Sequence, residues 1–235
     1  MESLDERKSF ILRILIEEYI LLAEPVGSKF LVSKYELTIS PATIRHEMGQ
    51  LEAHGYLFAP HPSSGRIPTE KGYEYYLEHF LSTKSQPKCK SDWVERLQQV
   101  KGEEQKIKEL AKVLADLSGE MVIVAFDPHW SYYTGVSQLF RKPDFADLSI
   151  LHSLSDLLDQ CDGVITRIFD SIPNEPQIFL GKKNPFGKDM ATIITRYTYG
   201  NIHEGILGLL GPIRMNYATN MALVEHAQSL IHELY

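Results

Sequence analysis

Residues 40–72 read Ser-Pro-Ala-Thr-Ile-Arg-His-Glu-Met-Gly-Gln-Leu-Glu-Ala-His-Gly-Tyr-Leu-Phe-Ala-Pro-His-Pro-Ser-Ser-Gly-Arg-Ile-Pro-Thr-Glu-Lys-Gly, and this stretch decides the fold of the first third of the chain. The hydroxyl of Ser40 can accept a hydrogen bond from the first helical turn, and Pro41 suits the first helical position. Gly55 can end the helix in a left-handed conformation. We therefore predict a helix from Ser40 to His54.

This predicted helix has one apolar face and one small, polar face. Ile44, Met48 and Leu51 recur at the spacing of a buried helical face. A helix whose outer face lacks bulk and can form hydrogen bonds is able to enter a DNA major groove. The residues on or beside that outer face are Ala42, Thr43, Arg45, His46, Gly49 and Gln50.

A hairpin is predicted directly after the helix. Tyr56–Ala59 and Arg66–Pro68 have strand propensity, and residues 62–65 have turn chemistry between them. We expect Gly65 to take a positive φ in this turn. Thr69 can then cap a new helix that runs to Phe80. Helix, hairpin and helix in this order are typical of the recognition helix and wing of a winged helix-turn-helix domain.

Two further helices are predicted before this stretch. An apolar stripe indicates a helix over Leu4–Leu22, Glu24-Pro25 breaks it, and a short helix follows over Ser28–Lys34. The three helices and the hairpin fill residues 1–80, so we predict a winged helix-turn-helix domain that binds DNA. The candidate DNA contacts are Ser40, Ala42, Thr43, Arg45, His46, Gln50, His61, Ser63, Ser64 and Arg66.

Composition and charge limit the class of protein. The chain has 235 residues, 43% of them hydrophobic and 23% charged, as in ordinary soluble proteins. No apolar run reaches transmembrane length, the acidic N-terminus does not resemble a signal peptide, and Cys89 and Cys161 are far apart, so a cytoplasmic protein is expected. Residues 1–83 contain 8 lysines and arginines against 12 aspartates and glutamates, a net charge of −4, so we expect few phosphate contacts.

The remainder of the chain predicts mixed helices and strands. Residues 82–91 are polar and are interpreted as a linker. A helix over Trp93–Leu117 fits either a dimer contact or packing on its own domain. An α+β domain is then predicted, with strands at Met121–Phe126, Gly163–Phe169 and Gln177–Gly181, helices at Asp144–Leu158 and Asn216–Tyr235, and a hairpin of Thr192–Tyr199 with Ile202–Leu210.

Several motifs together resemble the family of the heat-inducible transcription repressor HrcA. The resemblance implies a winged-helix repressor that binds, as a homodimer, an inverted repeat in double-stranded DNA ahead of chaperone operons and is released on heat stress. It also implies a GAF-like second domain and modulation by the chaperonin. The implied organisation is a winged helix-turn-helix domain over 1–83, a linker and helix over 84–118, and a GAF-like dimerisation or regulatory domain over 119–235. The motifs are Glu24 to Ser28, Ser40 to Arg45, Gly55 to Leu57, Pro60-His61, Ser63 to Thr69, Lys71 to Tyr73, Gly135 to Phe140, Pro143 to Phe145, Phe179 to Gly181, Asn184 to Phe186 and Gly208 to Tyr217.

The chain departs from the family pattern in two places. His46 and Glu47 stand where the family usually has Asn-Asp, and His46 is on the predicted outer face. The family also has a long stretch, with an inserted dimerising segment, between the Val122–Ala125 strand and the Gly135 motif. Only Phe126–Thr134 occupies that place here. Dimerisation is therefore expected to use the helix Trp93–Leu117, the GAF-like sheet, or both.

Neither a metal site nor a catalytic site is predicted. The nine histidines include His46, His54 and His61, which lack partnering cysteines at ligand spacing. No dinucleotide-binding, phosphate-loop or nucleophile-elbow motif occurs, so we expect no enzyme, cofactor or membrane partner. The alternative hypothesis is a winged-helix regulator that senses a small molecule in the GAF-like domain.

Overall fold

The computed structural model describes residues 4–61, 64–81, 92–145, 148–200 and 203–233, and it divides into two units, Met1–Leu81 and Ser82–Tyr235. The predicted linker, residues 82–91, lies outside the described residues, as does Cys89. None of the helices in the described part of the chain combines the length with the apolar character that a membrane span requires.

The first unit has the order of elements that the sequence predicted. Helix α1 begins at Glu6 and not at Leu4, because the Asp5 side chain caps it by accepting a hydrogen bond from the Lys8 backbone N–H at 2.8 Å. The elements are α1 (Glu6–Leu22), α2 (Ser28–Lys34), α3 (Pro41–Ala53), the antiparallel strands β1 (Leu57–Phe58) and β2 (Ile67–Pro68), and α4 (Glu70–Phe80).

The core of the first unit joins the three helices to the hairpin. Ile11, Leu15, Leu31, Ile44 and Tyr56 are each 0% exposed, and α1 contacts α3, α4 and β2. Burial of such side chains stabilises the unit by roughly 1.5–3 kcal/mol each relative to leaving them in water. Helix α3 is therefore fixed by its inner face and leaves its outer face in solvent.

The second unit is built on a five-stranded antiparallel sheet in the order β4-β3-β7-β6-β5. Helices α6 and α9 pack against one face of the sheet, and a cluster that includes α8 residues covers the other, so the α+β prediction is confirmed. The elements are α5 (Asp92–Gln98), α6 (Glu103–Ser118), β3 (Met121–Asp127), β4 (Trp130–Thr134), α7 (Val136–Phe140), α8 (Leu148–Ile168), β5 (Gln177–Leu180), β6 (Met190–Tyr199), β7 (His203–Pro212) and α9 (Tyr217–Glu233).

The prediction of one continuous helix over Trp93–Leu117 is wrong. The helical conformation is interrupted before Gly102, which has a φ of 89°, and α5 and α6 lie on either side of this interruption. Leu110 and Leu114 of α6 are 1% and 0% exposed, and α6 contacts β3 and α9. Of the two roles left open for this segment, packing on its own domain is the one observed.

The predicted strand over Gly163–Phe169 is also wrong, because residues up to Ile168 belong to α8. Leu157, Cys161, Val164 and Ile165 are all buried in the core cluster. Their spacing of four, three and one residues lies on one helical face, and a short apolar run fits a buried helix as well as a strand. The predicted hairpin of β6 with β7 is confirmed.

A buried glutamate, Glu120, directly precedes β3 in the second unit. Glu120 is 2% exposed, and its Oε1 lies 2.5 Å from Lys142 Nζ. Asp144 and Arg214 form a neighbouring ion pair, with 2.6 Å between Oδ2 and Nη2. Burial, with a further contribution from the Glu120 charge, raises the pKa of the Tyr217 hydroxyl well above its usual value. Burial raises the pKa of Glu120 to about 7, although Lys142 and Arg214 oppose this shift.

We expect the stability of the second unit to fall as the pH rises from about 4.5 to about 7. In this interval the folded chain keeps a proton on Glu120 that the unfolded chain has released, so the stabilisation is complete below the lower value and lost above the upper one. Glu120→Gln should remove this dependence and raise stability at alkaline pH by on the order of 1–3 kcal/mol. Denaturant unfolding across this range measures it.

Asp116→Asn provides the matched control, because Asp116 is exposed on α6. It should leave the pH dependence of the unfolding free energy unchanged. If Glu120→Gln has the same pH dependence as the parent, Glu120 does not titrate in this interval.

Candidate nucleic-acid interface

Helix α3 is fixed at both ends by the residues that the sequence singled out. The Ser40 Oγ accepts a hydrogen bond from the Thr43 backbone N–H at 3.1 Å, and Pro41 is the first helical residue. At the other end Gly55 has a φ of 79°. The Tyr56 backbone N–H then donates to the Leu51 carbonyl at 2.9 Å, which satisfies a terminal helix acceptor.

The two faces of α3 lie as predicted. Ile44, Met48 and Leu51 are buried, whereas Ala42, Arg45 and His46 are exposed. The two residues that differ from the family pattern therefore have different surroundings. His46 is on the exposed face. Glu47 is 8% exposed and turns towards α1, where its Oε1 lies 3.5 Å from Arg7 Nη1 and its Oε2 lies 3.3 Å from Lys8 Nζ.

A polar pair occupies the middle of the exposed face. The Gln50 Nε2 donates a hydrogen bond to the His46 Nε2 at 2.9 Å. These side chains are one helical turn apart, which brings them together on one face. The pair leaves the Gln50 Oε1 as an acceptor and a second amide hydrogen as a donor, so it can hydrogen-bond to a polar group opposite the helix.

The Ser64 side chain forms hydrogen bonds within the turn of the hairpin. The His61 backbone N–H donates to the Ser64 Oγ at 3.0 Å, and this hydroxyl donates to the His61 carbonyl at 2.7 Å. Ser63, another predicted contact, lies outside the described residues. The Ser64 hydroxyl is thus used within the turn, and His61 is exposed at its edge.

Arg66 ties the hairpin to α3 and to the segment before α2. Its Nε donates to the Glu52 Oε2 at 2.8 Å, and its Nη1 donates to the Ser64 carbonyl at 3.2 Å. Its backbone exchanges two 2.9 Å hydrogen bonds with Val26. The side chain is only 17% exposed. This guanidinium therefore already has a carboxylate partner, which a phosphate would have to displace.

Gly65 is required for a different reason from the one that the sequence predicted. The expected positive φ is wrong, since Gly65 is not among the residues with a left-handed backbone. Instead, a Cβ atom at this position would lie 2.4 Å from both the carbonyl carbon and the oxygen of Val26 and 2.7 Å from the Pro25 carbonyl carbon. Close approach of two backbone segments excludes any side chain here.

A cleft of about 160 Å³ opens between the start of α2, the outer side of α3 and the hairpin. Sequence reasoning assigned three of the lining residues, Arg45, Ser64 and Arg66, to the DNA contacts. It missed the cation Lys29, because no spacing rule relates this residue to Arg45 or to the hairpin. The lining residues are Gly27, Ser28, Lys29, Arg45, Met48, Ser64, Gly65 and Arg66. Among the described residues no group of three or more histidines, cysteines or acidic residues is arranged to hold a metal ion.

The fold and this surface define an α+β protein whose first unit presents an exposed polar helix beside a hairpin. A family model described as the HrcA protein C terminal domain matches residues 71–221. The chain belongs to the HrcA family, as the sequence motifs predicted.

Curated relatives named heat-inducible transcription repressor HrcA match this chain over most of its length. The protein from Halalkalibacterium halodurans is 24% identical over 340 aligned residues, which cover 99% of each chain. The one from Geobacter sulfurreducens is 34% identical over 178 residues, covering 73% of this chain and 49% of the relative. The name of these relatives describes them as transcription repressors.

The alignment with the Halalkalibacterium halodurans protein also indicates a shorter chain here. It spans 340 positions whereas this chain has 235 residues, so at least 105 positions of the relative have no counterpart. In the present chain β3 and β4 are joined by a tight turn between Asp127 and Trp130, where the Asp127 Oδ1 accepts from the His129 backbone N–H at 2.7 Å.

A solved structure titled "Crystal structure of a hypothetical protein at 2.2 A resolution" has the same fold. It matches with a TM-score of 0.77 over 98% of both chains and is 17% identical in sequence. At this identity the likeness concerns the fold alone.

Proposed function

We propose that the chain is a DNA-binding transcription repressor of chaperone operons, which binds an inverted repeat as a homodimer and is released by heat. The observation that carries this proposal is the exposed, small and polar face of α3 beside the hairpin. Membership of the HrcA family supports the repressor role. In this proposal the first unit is a winged helix-turn-helix domain and α3 is its recognition helix.

The contacts follow from the exposed groups. Ala42 and Gly49 let the helix approach the base edges, and the His46–Gln50 pair offers hydrogen-bond donors and acceptors to them. Arg45 is exposed at the side of α3, and His61 is exposed on the hairpin. Ser40, Thr43, Ser64 and Arg66 support this surface through the local hydrogen bonds already described, and backbone groups near them can reach phosphates.

Two copies would bind the two halves of the repeat. The GAF-like second domain is proposed to join them, and its contact must use a surface other than the apolar face of α6, because Leu110 and Leu114 are buried within their own unit. The chaperonin is a further proposed partner, on the grounds of family membership alone.

The rival hypothesis, a small-molecule sensor, has less support. A cleft of about 530 Å³ in the second unit is lined mainly by charged and polar residues, namely Gly102, Glu103, Glu104, Gln105, Lys108, Tyr199 and His203. Small-molecule sites are predominantly apolar. A thermal-shift screen separates the hypotheses, since a specific ligand would raise the unfolding temperature by mass action.

Footprinting on DNA upstream of chaperone operons tests the proposed function directly. We expect protection of both halves of an inverted repeat, with the protection lost on heating. A scrambled repeat is the control. Equal protection of the repeat and the scrambled DNA would contradict a sequence-specific repressor.

Arg45→Ala should weaken DNA binding by about 1–3 kcal/mol, because the exposed guanidinium is placed to contact the duplex. Fluorescence titrations of repeat and scrambled DNA measure the loss. Arg141→Ala, which removes an exposed cation from the second unit, is the control. Unchanged affinity in Arg45→Ala would remove this residue from the interface.

A further inference from the structure

The cations of the first unit are not equally available to a ligand. The unit has eight lysines and arginines, and six of them already contact acidic, carbonyl or aromatic groups. The contacts are Arg7 and Lys8 with Glu47, Arg13 with Glu17 and over the Phe10 and Phe80 rings, Lys34 with Glu18, Arg66 with Glu52, and Lys71 with the His54 carbonyl and over the Tyr56 ring.

The two remaining cations are Lys29 and Arg45. Within residues 4–61 and 64–81, neither has an acidic partner or a ring contact, and both are exposed. They come from different helices, α2 and α3, yet both line the cleft of about 160 Å³ beside the hairpin. None of the described residues that line it is acidic. Positive charge therefore converges here, although the unit as a whole is acidic.

We propose that this cleft binds a phosphate of the DNA backbone between Lys29 and Arg45, and that Arg66 acts as a positioning residue that holds the hairpin wall of the cleft. The inference rests on the proposed function and deepens it. Arg66 is held by Glu52 at 2.8 Å, whereas the two unpaired cations need not give up a carboxylate to bind an anion. A phosphate contact fixes the register of the protein on DNA and carries no base preference.

Salt dependence identifies such a contact. Each neutralised phosphate contributes about 0.9 to the slope of log K against log salt concentration. Because one phosphate is held between the two cations in each copy, Lys29→Ala should lower this slope by up to about 0.9 per bound copy, and the double change with Arg45→Ala by about 0.9 per bound copy. At about 0.1 M salt the single change should weaken binding roughly 5- to 10-fold, by the same amount on operator and mixed-sequence duplexes.

The experiment uses the full chain and two labelled duplexes of about 30 base pairs, one of mixed sequence and one with the footprinted repeat, titrated by anisotropy between about 50 and 200 mM salt. Lys29→Arg should restore the parent slope because it keeps the charge. Lys101→Ala, an exposed lysine of the second unit, should leave the slope unchanged.

The outcomes separate this inference from the proposed function. A parent chain that binds neither duplex overturns the proposed function, and the phosphate site falls with it. If the parent chain binds DNA and Lys29→Ala has the same affinity and the same salt dependence as the parent, the phosphate site alone is overturned. A loss confined to the repeat duplex would make Lys29 a base contact and would also overturn the site.

Discussion

Gly65→Ala is expected to unfold the hairpin of the first unit and to abolish DNA binding. The added Cβ would lie 2.4 Å from the backbone of Val26, and neither of the two segments can move without breaking the hydrogen bonds between Val26 and Arg66. Overpacking of this kind costs about 3 kcal/mol or more when backbone has to shift. Thermal unfolding of the first unit and an electrophoretic shift measure the two effects.

Gly49→Ala is the matched control for stability. Apart from its two chain neighbours and the backbone of its own helix, no described atom lies within 4 Å of a Cβ placed at Gly49, which is in the interior of α3. Alanine is a better helix former than glycine, so this change should stabilise the unit by up to about 1 kcal/mol. Parent-like stability and DNA binding in Gly65→Ala would mean that the contact of the hairpin with Pro25 and Val26 is not maintained in solution.

The first unit alone should bind the full inverted repeat about 10² to 10⁴ times more weakly than the intact chain. Residues 1–83 contain a buried core of their own and are expected to fold. Their net charge is −4, and among the described residues of this unit only Lys29 and Arg45 are cations without an acidic, carbonyl or ring contact, so each half-site contact is expected to be weak. Joining two copies makes the second contact intramolecular and raises the overall affinity by this factor. Sedimentation equilibrium and anisotropy titrations measure assembly and affinity.

A fusion of residues 1–83 to a dimeric coiled coil provides the matched control, because the coiled coil joins two copies of the first unit without the second unit. It should recover most of the lost affinity. If residues 1–83 alone bind as tightly as the whole chain, then avidity is not the mechanism. Charged substitutions at Leu110 and Leu114 cannot replace this test, since both side chains are buried in the second unit and would report on its folding.

Local chemistry explains the parts of the fold that the sequence predicted well. The bounds of α3 depend on Ser40, Pro41 and the left-handed backbone of Gly55, and the hydrogen bonds that close the two helix ends join residues at most five positions apart. The exposed position of His46 follows from helical periodicity alone. The hairpin of β6 with β7 likewise follows from two strand-forming runs around a turn.

The two wrong predictions of secondary structure concern apolar patterns that are compatible with more than one structure. The apolar run at Gly163–Phe169 fits a strand or a buried helix, and packing of Leu157, Cys161 and Val164 against the sheet selects the helix. The apolar spacing over Trp93–Leu117 continues across Gly102, but the left-handed backbone there separates α5 from α6. The apolar periodicity alone predicts neither the helix at residues 163–168 nor the interruption at Gly102.

By itself, the sequence determined the α+β class, the family, the ends of α3 and the residues on its outer face. Only the tertiary structure decided that Arg66 pairs with Glu52, that Gly65 lies against Val26, and that Lys29 meets Arg45 at one cleft. Capping and periodicity act between residues a few positions apart, and so they can be recognised in the sequence. These three pairings join residues 14 to 39 positions apart, and the packing of α2, α3 and the hairpin brings the residues together.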